Sequence, residues 1–384
     1  MNSATVQDNP SPADTAPETF APEVGHPHLQ ARILRSYRQG RLPHAFLFHG
    51  PEGCGKDAFA IALAQLVNCA DEQGLVNRQS PQFARIAHLQ HPDCKFIFPT
   101  PAESNLKDEE LRAALQEKAA NPYRRVTFGG KNRFIGIDTI RELKREARFK
   151  LYEGRRKVFI LSEAEQMRTE AANALLKLLE EPPANLMLIL TTARIHQILP
   201  TIKSRCQMFR FSRLPLDHIV DIVKRYAPDA DDTALPTLIR LSGFNIKRTF
   251  DFLEKDVLPL RDQAVELLRK IVVIHKAQEL MEIIEPVAGQ RDREEARLLL
   301  WFLLLWFQDI LHLQRQTHPV LFNEDQRETL EKFLTFLPHL DVAGVVWEIE
   351  QAMRELQDPR NLNPLLILGD LAIKLHRQIK SARK

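Results

Sequence analysis

The run Gly50-Pro51-Glu52-Gly53-Cys54-Gly55-Lys56-Asp57 carries the spacing G-x-x-x-x-G-K between a short apolar stretch and a helical pattern. A phosphate-binding loop needs that context. Gly50, Gly53 and Gly55 let backbone N–H groups converge on phosphate oxygens, the helix start adds a favourable dipole, and Lys56 adds a point charge. The next position departs from the pattern. Ser or Thr normally follows the lysine and ligates Mg²⁺, whereas Asp57 sets a negative charge beside negative phosphates and, at a helix start, competes for the same N–H groups. Two readings stand at this point: a nucleotide site, or a Gly-rich turn kept for folding.

A second segment, Val158-Phe159-Ile160-Leu161-Ser162-Glu163, departs in the same direction. An apolar strand ending in Asp-Glu would hold Mg²⁺ through the Asp and orient the attacking water through the Glu. Ser162 stands at the Asp position and Glu163 remains, either as part of a degenerate nucleotide site or as a solvated strand-end residue. Without Mg²⁺ between the phosphates, phosphoryl transfer loses its main charge stabiliser. Asp57 as a relocated ligand is the one compensation the residues suggest. No metal site is assigned, and ATP with Mg²⁺ is weakened as a cofactor by both departures.

Arg205, in Thr201-Ile202-Lys203-Ser204-Arg205-Cys206, is a third candidate. A planar, permanently charged fork can reach a neighbouring subunit's γ-phosphate and stabilise charge in trans, although a lone surface Arg is commonly a solvated charge. Cys69, His88, His91 and Cys94 have loose spacing and no paired C-x-x-C, so they read as core thiols and surface histidines, and zinc is not expected. The basic cluster Lys144, Arg145, Arg148, Lys150, Arg155, Arg156 and Lys157 suits a nucleic-acid face and a solvated face equally.

Positioning these groups requires a parallel sheet. Apolar runs at Ala45–His49, Lys95–Phe98, Val158–Leu161, Leu186–Leu190 and Gln207–Phe211 alternate with helical patterns at Lys56–Cys69, Ile137–Lys150 and Glu170–Leu179. Continuous apolar strands between helices predict an α/β domain with helices on both faces of the sheet. The segment 100–133 reads as an insertion, a charged surface helix at Leu106–Ala120 followed by a turn at Thr127–Asn132. Beyond Leu214 the strand signal ends. Three short helices at Asp217–Tyr226, Asp232–Leu241 and Ile246–Leu253 precede six longer ones from Arg261 to Ile379. The predicted division is a tail over 1–22, an α/β phosphate-loop domain over 23–212, a small helical lid over 213–256 and an all-α collar over 257–384.

At 384 residues the chain has room for two or three domains, and 44% hydrophobic with 27% charged residues excludes a fibrous or wholly disordered chain. A net charge of +3 argues against a strongly cationic nucleic-acid coat. Four scattered cysteines make no disulfide framework and predict a reducing, cytoplasmic setting. Leu298–Phe307, the most apolar run, covers about half the length a bilayer needs, so no membrane segment is expected. Met1–Pro22 has no Lys, Arg or apolar core and reads as a disordered tail.

Four further features go together: Arg41–Phe48 leading into the phosphate loop, His91-Pro92-Asp93, the run Asn173–Pro183 (NALLKLLEEPP) and Ser204-Arg205-Cys206. On these the chain resembles, over about Val24–Lys255, the AAA+ subunits of the bacterial DNA polymerase III clamp loader. It implies an AAA+ parallel-sheet domain with a helical lid and a C-terminal all-α collar. It further implies a hetero-oligomeric ring with gamma/tau- and delta-type subunits, acting on a sliding clamp and primed DNA without a membrane. Motor subunits of that family keep their Mg²⁺ residues and a Gly-Ser-x-Arg element; this chain has Ile246 at that Arg position. It is thus most similar to the non-hydrolysing stator kind, which lends the Ser-Arg-Cys arginine, here Arg205, to a neighbour's ATP. The zinc module common in stators is missing. A catalytically active gamma/tau-type ATPase and a scaffold or DNA-binding AAA+ module outside replication remain the rival readings.

Overall fold

The computed structural model describes residues 18–102, 106–129, 131–272, 277–288, 293–315, 320–358, 360 and 362–382. The expected tail lies outside the described residues up to 17. Its last residues are ordered: Phe20 and Ala21 are buried, and their N–H groups donate to Gln30 Oε1 at 3.0 and 2.8 Å. The chain divides into two compact units, Met1–Leu214 and Pro215–Lys384.

The first unit contains strands β1 (Ala45–His49), β2 (Cys94–Ile97), β3 (Lys157–Leu161), β4 (Leu186–Thr192) and β5 (Gln207–Arg210). Its helices are α1 (Pro27–Arg38), α2 (Lys56–Cys69), α3 (Pro81–Ala87), α4 (Asp108–Ala120), α5 (Ile137–Ala147), α6 (Thr169–Glu180) and α7 (Pro200–Lys203). The strands run in the order β2-β3-β4-β1-β5, and every pairing is parallel. This is the α/β arrangement that the AAA+ resemblance implies.

Period-two alternation divides the sheet's apolar residues between two cores. Ala45, Leu47, Phe159, Leu161, Leu188 and Leu190 pack with α5 and α6. Phe46 and Phe48 face the other way, where Phe48, Phe59 of α2, Phe209 and Phe211 form edge-on and tilted aromatic pairs. All fourteen residues of α2 are buried, so it is a core helix rather than the one-sided stripe that Phe59, Leu63, Leu66 and Val67 suggest. Helix α5 stops at Ala147, three residues before Lys150, because Lys157 Nζ donates to Glu146 O at 2.8 Å and Phe149 O at 2.9 Å and closes its end.

The second unit is helical: α8 (Leu216–Tyr226), α9 (Leu235–Leu241), α10 (Ile246–Glu254), α11 (Leu258–Val272), α12 (Ala277–Ala288), α13 (Glu294–Arg315), α14 (Arg327–Phe336), α15 (Val342–Leu356) and α16 (Pro364–Ala382). One buried cluster joins Leu238, Leu241 and Phe252 of the short helices to Phe302, Leu303 and Phe307 of α13. Trp301 Nε1 donates to Leu241 O at 2.8 Å, and the Arg248 guanidinium lies 3.9 Å from the Trp301 ring. Helix α13 is long and apolar enough to cross a membrane by length and composition, and most of it is buried in this core.

Candidate functional site

Strand β1 ends at His49, and the loop that follows turns into α2 through positive-φ glycines. Gly53 has φ +68° and Gly55 +89°, the left-handed region that glycine enters without strain. At Gly50 the constraint is also steric, since a Cβ would lie 2.3 Å from Phe211 O, a backbone atom that cannot step aside. Gly50→Ala is therefore expected to destabilise the first unit by about 3 kcal/mol, read as a lower unfolding midpoint in denaturant.

Lys56 does not project into the space above the loop. Its Nζ donates to Gly50 O at 2.9 Å and Pro51 O at 2.5 Å and lies 3.6 Å from Cys54 Sγ. Burial pushes the Cys54 thiol up against the opposing pull of Lys56, which keeps it protonated.

Asp57, in the first turn of α2, is 7% exposed and lies at the end of the sheet. Ser162 Oγ, just past β3, donates to its carboxylate at 2.9 Å, and Thr191 Oγ1 in β4 at 2.8 Å. Lys118 Nζ of α4 completes the group at 3.0 Å from Asp57 Oδ2. Lys118 is 3% exposed, and its ammonium also donates to Pro122 O at 2.6 Å and Arg124 O at 3.3 Å. The expected surface helix thus buries a lysine in its last turn, where the carboxylate beneath needs a counter-charge. The rest of the insertion follows: a Cβ on Gly55 would sit 3.4 Å from the Tyr123 ring, and Arg125 Nη2 lies 3.1 Å from Glu52 Oε1.

Glu163 has a left-handed backbone at φ +53°, and its carboxylate lies 3.8 Å from Arg133 Nη2. The residues present do not fit a bound Mg²⁺-nucleotide. The carboxylate that follows the loop lysine, Asp57, is engaged by an ammonium and two hydroxyls, and the lysine by the loop's own carbonyls.

Arg205 stands apart from this group. It is exposed, with Nη2 2.9 Å from Glu180 Oε1 at the end of α6 and Nη1 donating to Thr201 O at 3.1 Å. Two of the quoted motifs, NALLKLLEEPP and Ser-Arg-Cys, therefore meet in this one ion pair.

His91-Pro92-Asp93 is a structural anchor. Asp93 is buried, and its carboxylate accepts from the N–H groups of Tyr152 at 3.0 Å, Glu153 at 2.9 Å and Gly154 at 2.8 Å. Burial alone would raise its pKa, but those N–H groups outweigh burial and hold it below the ordinary value. His91 Nδ1 accepts from Asp93 N at 3.1 Å, and burial lowers its pKa. Burial pushes the Cys94 thiol up. Among the described residues no three His, Cys, Asp or Glu side chains gather as a metal group. Of the basic cluster, Lys157 is buried at the end of α5 and leaves that set. The sequence reading missed Lys118 and Thr191; no spacing marks either, since only the fold brings them to Asp57.

Residues 25–215 match the family described as DNA polymerase III, delta subunit. Over 66% of its length the chain is 31% identical to the DNA polymerase III gamma/tau subunit of Mycobacterium bovis, and it spans 40% of that relative. It is 29% identical to the tau subunit of Bacillus subtilis over 95% of this chain and 59% of the relative. It is also 25% identical to the delta' subunit of the same organism over 88% of this chain and 94% of the relative. With the parallel sheet, the phosphate-loop segment and the paired NALLKLLEEPP and Ser-Arg-Cys motifs, these matches mean that the chain belongs to the clamp-loader subunit family of DNA polymerase III.

Proposed function

We propose that this chain is a delta-prime-type stator of a DNA polymerase III clamp loader, a subunit that helps ATP-driven loading of a sliding clamp onto primed DNA without hydrolysing ATP itself. It would work in the cytoplasm, in a hetero-oligomeric ring with gamma/tau- and delta-type subunits, with a lid over 213–256 and a collar over 257–384. The observation that carries the reading is an asymmetry within the first unit. The Arg205 guanidinium is exposed and held by exposed partners, whereas the Asp57 carboxylate is committed inside the fold. An arginine so placed can serve a phosphate brought by a neighbour; a carboxylate so placed cannot hold a metal for this chain's own nucleotide.

The test is the ATPase of the reconstituted loader carrying Arg205→Ala. Lower turnover with this chain's fold intact supports the reading, and unchanged turnover rejects it. The gamma/tau-type identity of the 31% relative favours a second reading, an active ATPase. Calorimetric titration of the isolated chain with Mg-ATP separates the two: micromolar binding with turnover belongs only to the second.

A further inference from the structure

The insertion between β2 and β3 has no place in the function proposed above, yet its Lys118 is the most deeply committed cation at the phosphate loop. An ammonium carries three donors. Those of Lys118 have the Asp57 carboxylate and two backbone carbonyls, Pro122 O and Arg124 O, within reach. Beneath it, Ser162 and Thr191 supply hydroxyl oxygens to the same carboxylate. Carboxylate, hydroxyl and carbonyl oxygens are the ligand types that hard divalent cations select. A buried cation at 3.0 Å from a buried carboxylate is kept only if both charges stay paired.

We propose that Lys118 is a built-in monovalent substitute for a divalent cation: its ammonium fills the cation position beside Asp57 and thereby closes the phosphate loop to metal-bound nucleotide. This rests on the non-hydrolysing reading above and extends it, because it assigns the loss of metal handling to an occupant as well as to missing ligands. Removing the ammonium uncovers a carboxylate flanked by two hydroxyls, and that group takes a hard divalent cation.

The experiment uses the full-length chain by itself, with Mn²⁺ as the probe and thermal unfolding as the readout. Wild type should show no Asp57-dependent response to Mn²⁺. Lys118→Met should be less stable without metal and should gain about 5–10 °C when Mn²⁺ is present at 100 times its Kd. The gain should vanish in Lys118→Met/Asp57→Asn. If Lys118→Met is unfolded without metal, Mn²⁺ should refold it. A Lys118→Met protein that ignores Mn²⁺, folded or not, overturns the proposal, because an ordinary structural ion pair predicts the loss of stability but no metal response. A wild-type shift abolished by Asp57→Asn overturns both this proposal and the non-hydrolysing reading. Failure of the Arg205 assay alone leaves the Mn²⁺ result standing.

Discussion

Arg205→Ala is expected, on the stator reading proposed above, to slow ATP turnover by on the order of 10³-fold at the neighbouring ATP site that this arginine would complete. The chain's own stability should change by at most about 1 kcal/mol, since both the side chain and its ion-pair partner Glu180 are exposed. The Glu180–Arg205 pair holds the guanidinium at 2.9 Å in the isolated chain. Exposed pairs of this kind contribute at most about 1 kcal/mol, so a neighbour's triphosphate, with several negative oxygens, can draw the fork away. Arg205→Lys should rescue little, because an ammonium lacks the two-pronged geometry. Single-turnover phosphate release by the reconstituted complex measures the site directly. A turnover equal to wild type in both variants would mean that Arg205 faces no phosphate.

The largest effect on the chain's own fold is expected at Asp93. Asp93→Ala removes the acceptor of three backbone N–H groups, from Tyr152, Glu153 and Gly154, all anchored on one buried carboxylate. Stranding donors in a buried setting costs about 1–3 kcal/mol each when no water reaches them; with partial relaxation of the loop a total of about 4 kcal/mol is expected. The pH dependence has a definite sign. The folded-state pKa of Asp93 lies below its ordinary value of 3.8, so its contribution is fully present above that value and is lost as pH falls through the lower folded-state value. Denaturant unfolding at pH 7 and near pH 3 should show wild type losing stability between the two, with Asp93→Asn losing less because no carboxylate titrates at that position. Equal acid losses in the two proteins would show that the N–H groups do not favour the ionised form.

Much of the sheet domain was legible before any coordinate. Ala45–His49 and Lys56–Cys69 fall where their apolar runs and flanking glycines end them, and all five strands appear where predicted, to within one or two residues at each end. Such limits are local: alternation, helix period and turn chemistry are written in neighbouring residues. Helix α1 escaped notice because its apolar stripe is only Leu29, Ile33 and Leu34 among basic residues, and α3 because seven residues hold barely two turns. The same locality explains why Arg205 could be singled out by its motif while its Glu180 partner could not.

What the residues determined alone was a pair of departures, Asp57 for a hydroxyl and Ser162 for a carboxylate, to which the family resemblance adds Ile246 for an arginine. They could say that the residue types which ordinarily ligate a divalent ion do not stand at those positions, because ligand chemistry belongs to side-chain type. Only the tertiary structure could say what stands beside Asp57. Lys118 is 61 residues from Asp57 and Thr191 is 134 away, and they meet because α4 folds over the loop while β4 pairs directly with β1, the strand that leads into that loop. Burying a carboxylate makes a counter-charge obligatory, but which lysine supplies it is a matter of distance in three dimensions, and no spacing along the chain encodes that.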